Sequence, residues 1–223
     1  MLPRRDLLGL LASALLLAAC GEGGVEGPVG PRDSVPPPPA PRLLASAPVP
    51  RTLLGQAGSE TVAYVSAPTG LLVRGALAAV VNQRTGERLL TPLAAGGFDP
   101  VALVATDGDV LEVTLTDSAG GVTTTPLTVK RGAKPRVVRT VPEPRATDVP
   151  LNSVIRVVFT TPVRASDAAG AIRLFSGGEE VAGTVRVDGE AAVIVDFEPA
   201  TPLVANTDYE LRVDASLRDV LGT

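Results

Sequence analysis

The feature that most constrains this chain is the two-residue period of its apolar positions, cut at short intervals by glycine and proline. Val110-Leu111-Glu112-Val113-Thr114-Leu115-Thr116 sets Leu111, Val113 and Leu115 on one side and Glu112, Thr114 and Thr116 on the other. A helix, repeating every 3.6 residues, would scatter these side chains around its axis; a strand sorts them into a core face and a wet face. Asp107-Gly108 precedes the run and Ser118-Ala119-Gly120-Gly121 follows it, both turn chemistry. Val122–Val129 then reads as the returning strand of a hairpin. Glu60–Ser66, Ala76–Asn82, Glu87–Leu90 and Val101–Ala105 are shorter strand candidates, with Thr85-Gly86 as a turn. The Leu- and Ala-rich run Gly70–Val81 has a helical composition, but Gly75 and the β-branched Val73, Val80 and Val81 speak for a strand.

The same period returns after Pro135. Ile155, Val157 and Phe159 face one way with Arg156 opposite. Val181, Val185 and Val187 alternate with Thr184 and Arg186; Val193, Val195 and Phe197 with Ile194 and Asp196; Tyr209, Leu211 and Val213 with Asp208, Glu210 and Arg212. Ser176-Gly177-Gly178 and Asp188-Gly189 mark turns between them. Short strands at near-even spacing predict an all-β chain of two sandwiches in tandem, residues 51–132 and 135–223, with no helix of ordinary length after residue 20. The basic, proline-punctuated stretch with Lys130, Arg131, Lys134, Arg136 and Arg139 reads as the joint between them plus the first strand of the second.

The front end is different. Arg4 and Arg5 precede Leu7–Ala19, an uncharged run of apolar and small residues. It is too short to span a bilayer, which takes about 20 residues, and it suits the apolar region of a signal peptide over residues 1–19. Arg4-Arg5 fits a plain positive leader better than a twin-arginine one. From Gly21 to Pro50 glycine gives way to Pro36-Pro37-Pro38-Pro39, so residues 20–50 read as a flexible, then extended, linker.

Composition excludes several functions. The chain of 223 residues has no His and no Trp, one Cys, and lysine only at Lys130 and Lys134. Histidine-based triads and most zinc sites are out, and one cysteine allows no internal disulfide. A formal charge of -4 with 3% aromatics argues against nucleic-acid binding. No cofactor or metal is expected. Asp148, Asn152 and Asp219 are oxygen donors of the kind calcium takes, yet no dense acidic run accompanies them, so turn capping is the better reading. Glu179-Glu180 in a Gly-rich turn are read as solvated, and Asp107 and Asp109, which flank Gly108, fit a hairpin turn as well as a cation site.

Two resemblances sharpen this. Leu17-Ala18-Ala19-Cys20 resembles the lipobox of bacterial lipoproteins, in which a lipid is joined to the Cys thiol and the peptide is cut just before it; Cys20 is the sole thiol. The likeness implies lipidation at Cys20 and a mature chain held in a membrane, and Gly21, where inner-membrane lipoproteins often carry Asp, favours the outer membrane or cell surface. Further along, Val141-Pro142, Ala146-Thr147-Asp148-Val149-Pro150-Leu151-Asn152, Phe197-Glu198-Pro199-Ala200, Pro202-Leu203, Tyr209 and Asp219-Val220-Leu221-Gly222 occur in order. From about Pro135 onward the chain is thus similar to the SbsA-type bacterial Ig-like domain, an all-β sandwich found in secreted and surface proteins. Gly97-Phe98, Gly108-Asp109, Asp117 and Gly120-Gly121 resemble the later half of other bacterial Ig-like modules, which makes both sandwiches Ig-like. Leu203 and Tyr209 resemble a tyrosine corner, whose hydroxyl bonds backbone a few residues upstream. In the family another strand follows the Asp-x-x-Gly motif, whereas only Thr223 follows Gly222 here. The resemblance therefore implies a second sandwich without its last strand, either because the chain is a fragment or because a partner strand completes the sheet.

The expectation is a non-catalytic, lipid-anchored cell-envelope protein whose Ig-like modules act as spacer or as binding and adhesion domains. The alternative is an anchoring or accessory module of a larger surface adhesin or secreted-enzyme system. The membrane is the expected partner through the lipid; an envelope protein or polysaccharide is the open second one.

Overall fold

The computed structural model describes residues 42–72 and 74–223. The expected signal peptide, the lipobox-like segment with Cys20 and the expected linker as far as residue 41 lie outside the described residues. Among the described residues strands dominate, joined by one α-helix of two turns and one 3-10 turn, so the all-β expectation holds.

The first sandwich packs two sheets. One is centred on β3 (Thr61–Ala67), flanked on one side by β6 (Phe98–Val104) and on the other by two short pieces, β1 (Leu44–Ala45) and β2 (Val49–Pro50). The other runs in the order β5 (Arg88–Pro92), β4 (Gly75–Asn82), β7 (Val110–Asp117), β8 (Val122–Thr128). All pairings are antiparallel, with Val80 opposite Val113 and Val65 opposite Val101. The alternation does the sorting: Leu111, Val113 and Leu115 of β7 and Ala78 and Val80 of β4 are buried against Ala63, Val65, Phe98 and Leu103 of the facing sheet. Each such Val, Leu or Phe contributes about 1.5–3 kcal/mol on leaving water.

The linker expected to reach Pro50 ends earlier. Leu44 pairs with Ser66 and Val49 with Val62, and Ala47 and Val49 are fully buried. Pro48 and Pro50 offer no N–H to a ladder, so this edge is broken into two-residue pieces, too short to show a period.

The second sandwich has one sheet in the order β13 (Gly183–Val187), β14 (Ala191–Pro199), β10 (Ile155–Arg164), β9 (Val137–Val141). The other runs β12 (Glu179–Val181), β11 (Ile172–Ser176), β15 (Tyr209–Val213). Ile155, Val157 and Phe159 meet Ile172, Leu174, Val195 and Phe197 between the sheets. Between β10 and β11 the chain makes α1 (Ala165–Ala171), which buries Ala168 and Ala171 against the same core. Glu179 and Glu180, expected in a turn, stand in β12 opposite Ser176 and Phe175. The turn is Gly177-Gly178 alone, both at positive φ (58° and 90°), which only glycine adopts freely; a two-residue hairpin lets pairing resume at Glu179.

Candidate functional site

Three polar clusters organise the described residues, and each starts from where the alternation puts a side chain. At one end of the first sandwich, Asn82 continues the inward series Ala78, Val80, and Asp109 precedes the inward series Leu111, Val113, Leu115. Two polar groups thus occupy core positions, 0% and 6% exposed. They satisfy one another. Asn82 Nδ2 donates to Val104 O at 2.7 Å and to Asp109 Oδ2 at 2.9 Å. The Thr106 N–H donates to Asp109 Oδ2 at 2.9 Å, and Arg84 reaches in with Nε to Oδ1 at 2.7 Å and Nη2 to Oδ2 at 2.9 Å. Asn82 Oδ1 accepts the Arg84 N–H at 2.9 Å and so shapes the turn that delivers that arginine. The guanidinium, helped by the Asn82 and Thr106 donors, holds the Asp109 carboxyl well below the usual carboxylate range against the opposing effect of burial. The turn expected around Gly108 is present, but it joins β6 and β7 of different sheets rather than a hairpin, and it leaves Asp109 buried: a carboxylate in phase with three buried aliphatic residues was the signal.

The second cluster joins the sandwiches. Arg139 on β9 donates Nε to Asp99 Oδ1 at 2.6 Å and Nη2 to Oδ2 at 2.7 Å, a two-pronged pair with Asp99 on β6. Across the ladder from Arg139 stands Val158, fully buried although it points away from Val157 and Phe159. It is covered because β10 packs against β3 and β6. The Arg136 N–H donates to Thr160 Oγ1 at 3.0 Å and the Arg131 N–H to Asp107 Oδ1 at 2.9 Å. Of the basic stretch, Arg139 is paired across the sandwiches, while Lys130, Arg131, Lys134 and Arg136 are exposed.

The third cluster is the last turn. Asp219 is fully buried; its Oδ1 accepts the N–H groups of Leu221 and Thr223, both at 2.9 Å, and its Oδ2 the Thr223 hydroxyl at 2.8 Å. Both oxygens serve its own turn, while Asp148 and Asn152 are exposed. No group of three or more His, Cys, Asp or Glu among the described residues is placed to hold a metal ion.

At the expected corner, Leu203 is buried and its N–H donates to Leu151 O at 2.7 Å. The Tyr209 hydroxyl accepts the Val204 N–H at 2.7 Å while its ring packs on the second core. Phe98, Phe159 and Phe197 are buried in the cores. Phe175 instead lies on the outer face beneath the Arg212 guanidinium, 4.1 Å from the ring centre, and offers no open stacking platform.

Chemically, this arrangement holds charge rather than moving it. Arg156 pairs with Asp196 at 2.8 Å and Arg186 with Glu198 at 2.7 Å. The carboxyl groups whose acidity is clearly perturbed, Asp109, Asp196, Glu210 and Asp214, are all pushed down, chiefly by hydrogen bonds from neighbouring arginines or, for Asp214, from Ser216. A general acid or base working near neutral pH needs the opposite shift. A cleft of about 450 Å³ is lined by Arg156, Arg186, Asp188 and Asp196, and one of about 400 Å³ at the joint by Pro48, Pro50, Asp107, Arg131 and Leu221. Neither cleft is lined by His, Cys or Lys. No described helix is long and apolar enough to cross a membrane.

No curated protein matches the chain. Residues 131–223, which hold the whole second sandwich and its joint, match the bacterial Ig-like domain, a family of generally non-catalytic modules.

Proposed function

We propose that this protein is a non-catalytic, lipid-anchored component of the bacterial cell envelope, held at the outer membrane or cell surface by acyl chains on Cys20. Its two sandwiches serve as a stiff spacer that presents their loops and outer faces to an envelope partner. The observation that carries the spacer reading is the joint. The Asp99–Arg139 pair and the buried Val158 tie the sandwiches into one unit among the described residues. The anchor reading rests on the apolar run that ends at the sole thiol. Two or three acyl chains, at about 0.8 kcal/mol per buried CH₂, hold a chain where one would not.

Metabolic labelling with a tagged fatty acid tests the anchor. The wild-type protein is expected to take up label and to fractionate with membranes, and Cys20→Ser to do neither. Equal labelling of the two overturns the reading.

A further inference from the structure

The outer face of the sheet β5-β4-β7-β8 has an unusual make-up for a solvated surface. Leu77, Leu90 and Val122 are 38%, 56% and 63% exposed there, among threonine, proline and alanine. Over the three rows that cross the sheet at Leu77, Ala79 and Val81, only two outward residues are charged, and both lie in the Val81 row: Arg88 on β5 and Glu112 on β7, one strand to either side of Val81 on β4. Gln83 Nε2 donates to Glu112 Oε2 at 3.1 Å.

We propose that this face is covered by the same face of a second copy, related by a two-fold axis that runs along β4 in the plane between the sheets. The placement of the charges selects this occupant. Rotation about an axis parallel to the strands keeps every residue at its height and exchanges β5 with β7. Arg88 of one copy therefore falls over Glu112 of the other, twice, by symmetry. Leu90 meets Thr114, and Ala79, the smallest residue of its row, meets itself on the axis. Sheets pack face to face about 10 Å apart, a gap that an arginine and a glutamate bridge end to end. The symmetric footprint of three strands, about 15 Å by 17 Å, covers on the order of 500 Å² over both copies, well below the roughly 1,200 Å² of a stable interface, so the dimer is weak and transient, forming at high protein concentration and dissociating on dilution.

Cysteine crosslinking of the purified full chain tests this at about 0.1–1 mM, concentrations suited to an interface of this size. With a short bismaleimide and Cys20→Ser in every chain, so that residue 79 or 204 carries the sole thiol, Ala79→Cys is expected to give a covalent dimer, while the Cys20→Ser parent and Val204→Cys, an exposed position on the other sandwich, give none. Adding Arg88→Glu or Glu112→Arg to Ala79→Cys is expected to abolish the product, and adding both to restore it. Circular dichroism melting of each variant shows that the fold is retained. No dimer at residue 79, an equal yield at residue 204, or a yield indifferent to the charge reversals overturns the proposal. So does a product in cell extracts whose mass shows another protein at residue 79 in place of a second copy.

Discussion

Asp109→Ala is expected to be among the most damaging single changes on the surface-lying turns, although Asp109 sits next to Gly108 in the turn between β6 and β7. The substitution removes the acceptor for Asn82 Nδ2 and for the Thr106 N–H, each at 2.9 Å. Asn82 is fully buried and has no water to turn to, so its freed N–H carries a cost near the top of the 1–3 kcal/mol range for an unsatisfied donor. Thr106 is exposed and its N–H recovers part of the loss from solvent. Together these come to about 3 kcal/mol, a large share of the 5–15 kcal/mol that holds a typical domain. For a sandwich of this size that lowers the melting temperature by about 15 °C. Asp109→Asn separates the two components. Its amide oxygen can keep the Asn82 and Thr106 bonds, and only the pairing with Arg84, whose side chain is half exposed, is lost. Far-UV circular dichroism melting, with hydrogen exchange read over residues 82–85 and 104–109, checks both. If Asp109→Ala melts within about 4 °C of the wild type, equivalent to less than about 1 kcal/mol, the network is not structural and the reasoning is refuted.

The same carboxylate gives an acid limb with a definite sign. The folded pKa of Asp109 lies below its unfolded value of about 3.9, so the unfolded chain binds the proton first as pH falls. Its stabilisation is complete above about pH 5 and fades as pH drops through 4 toward the folded value. The melting difference between the wild type and Asp109→Asn should shrink over that interval and stay flat above it. A difference that grows on acidification would contradict the assignment.

Two further outcomes are expected. Tyr209→Phe removes the acceptor for the Val204 N–H; because Val204 is 66% exposed and its N–H can be rehydrated, the loss belongs at the low side of about 1 kcal/mol and is confined to the second sandwich, as exchange rates around residue 204 will show. Arg139→Ala breaks the two-pronged bond to Asp99, whose half-exposed setting limits its stability contribution to about 1 kcal/mol or less; the visible effect is a broader distance distribution in small-angle scattering, with the melting temperature almost unmoved.

What was legible in the sequence is what the period alone determines. β7, β14 and β15 bury one face each, so their alternation survives in the residues and the strands stand where it put them. The rest was hidden for physical reasons. β1 and β2 are too short and too interrupted by Pro48 and Pro50 to carry a period. α1 spans seven residues, where a helical repeat is not yet distinguishable from a loop with two inward alanines. β10 was read as one-faced, with Ile155, Val157 and Phe159 inward, yet eight of its ten positions from Ile155 to Arg164 are buried, all except Arg156 and Arg164. A strand covered on both faces loses its alternation and reads as a continuous apolar run, and Val157-Val158-Phe159 is such a run. The polar pair Asn82 and Asp109 was in plain view as two polar residues in apolar phase, but only the fold brings residues 27 positions apart into a bond.

That double covering of β10 is what turns two modules into one mechanical element. Separating the sandwiches would return Val158 to water at about 1.5–3 kcal/mol and release the Arg139–Asp99 bond for about 1 kcal/mol or less. A preference of about 3 kcal/mol corresponds to more than about a hundredfold excess of the docked arrangement over the open one. Flexibly linked domains have no such excess, and for them a force or contact at one end carries no orientation to the other. Here β10 of the second sandwich packs against β3 and β6 of the first. The arginine at the joint and the valine beside it act on different aspects of this. Val158 supplies most of the free energy but, being apolar, little direction, whereas the forked geometry of Arg139 on Asp99 restricts rotation at small energetic gain. Stiffness and stability at this joint thus reside in different side chains, and substituting one leaves the other largely in place.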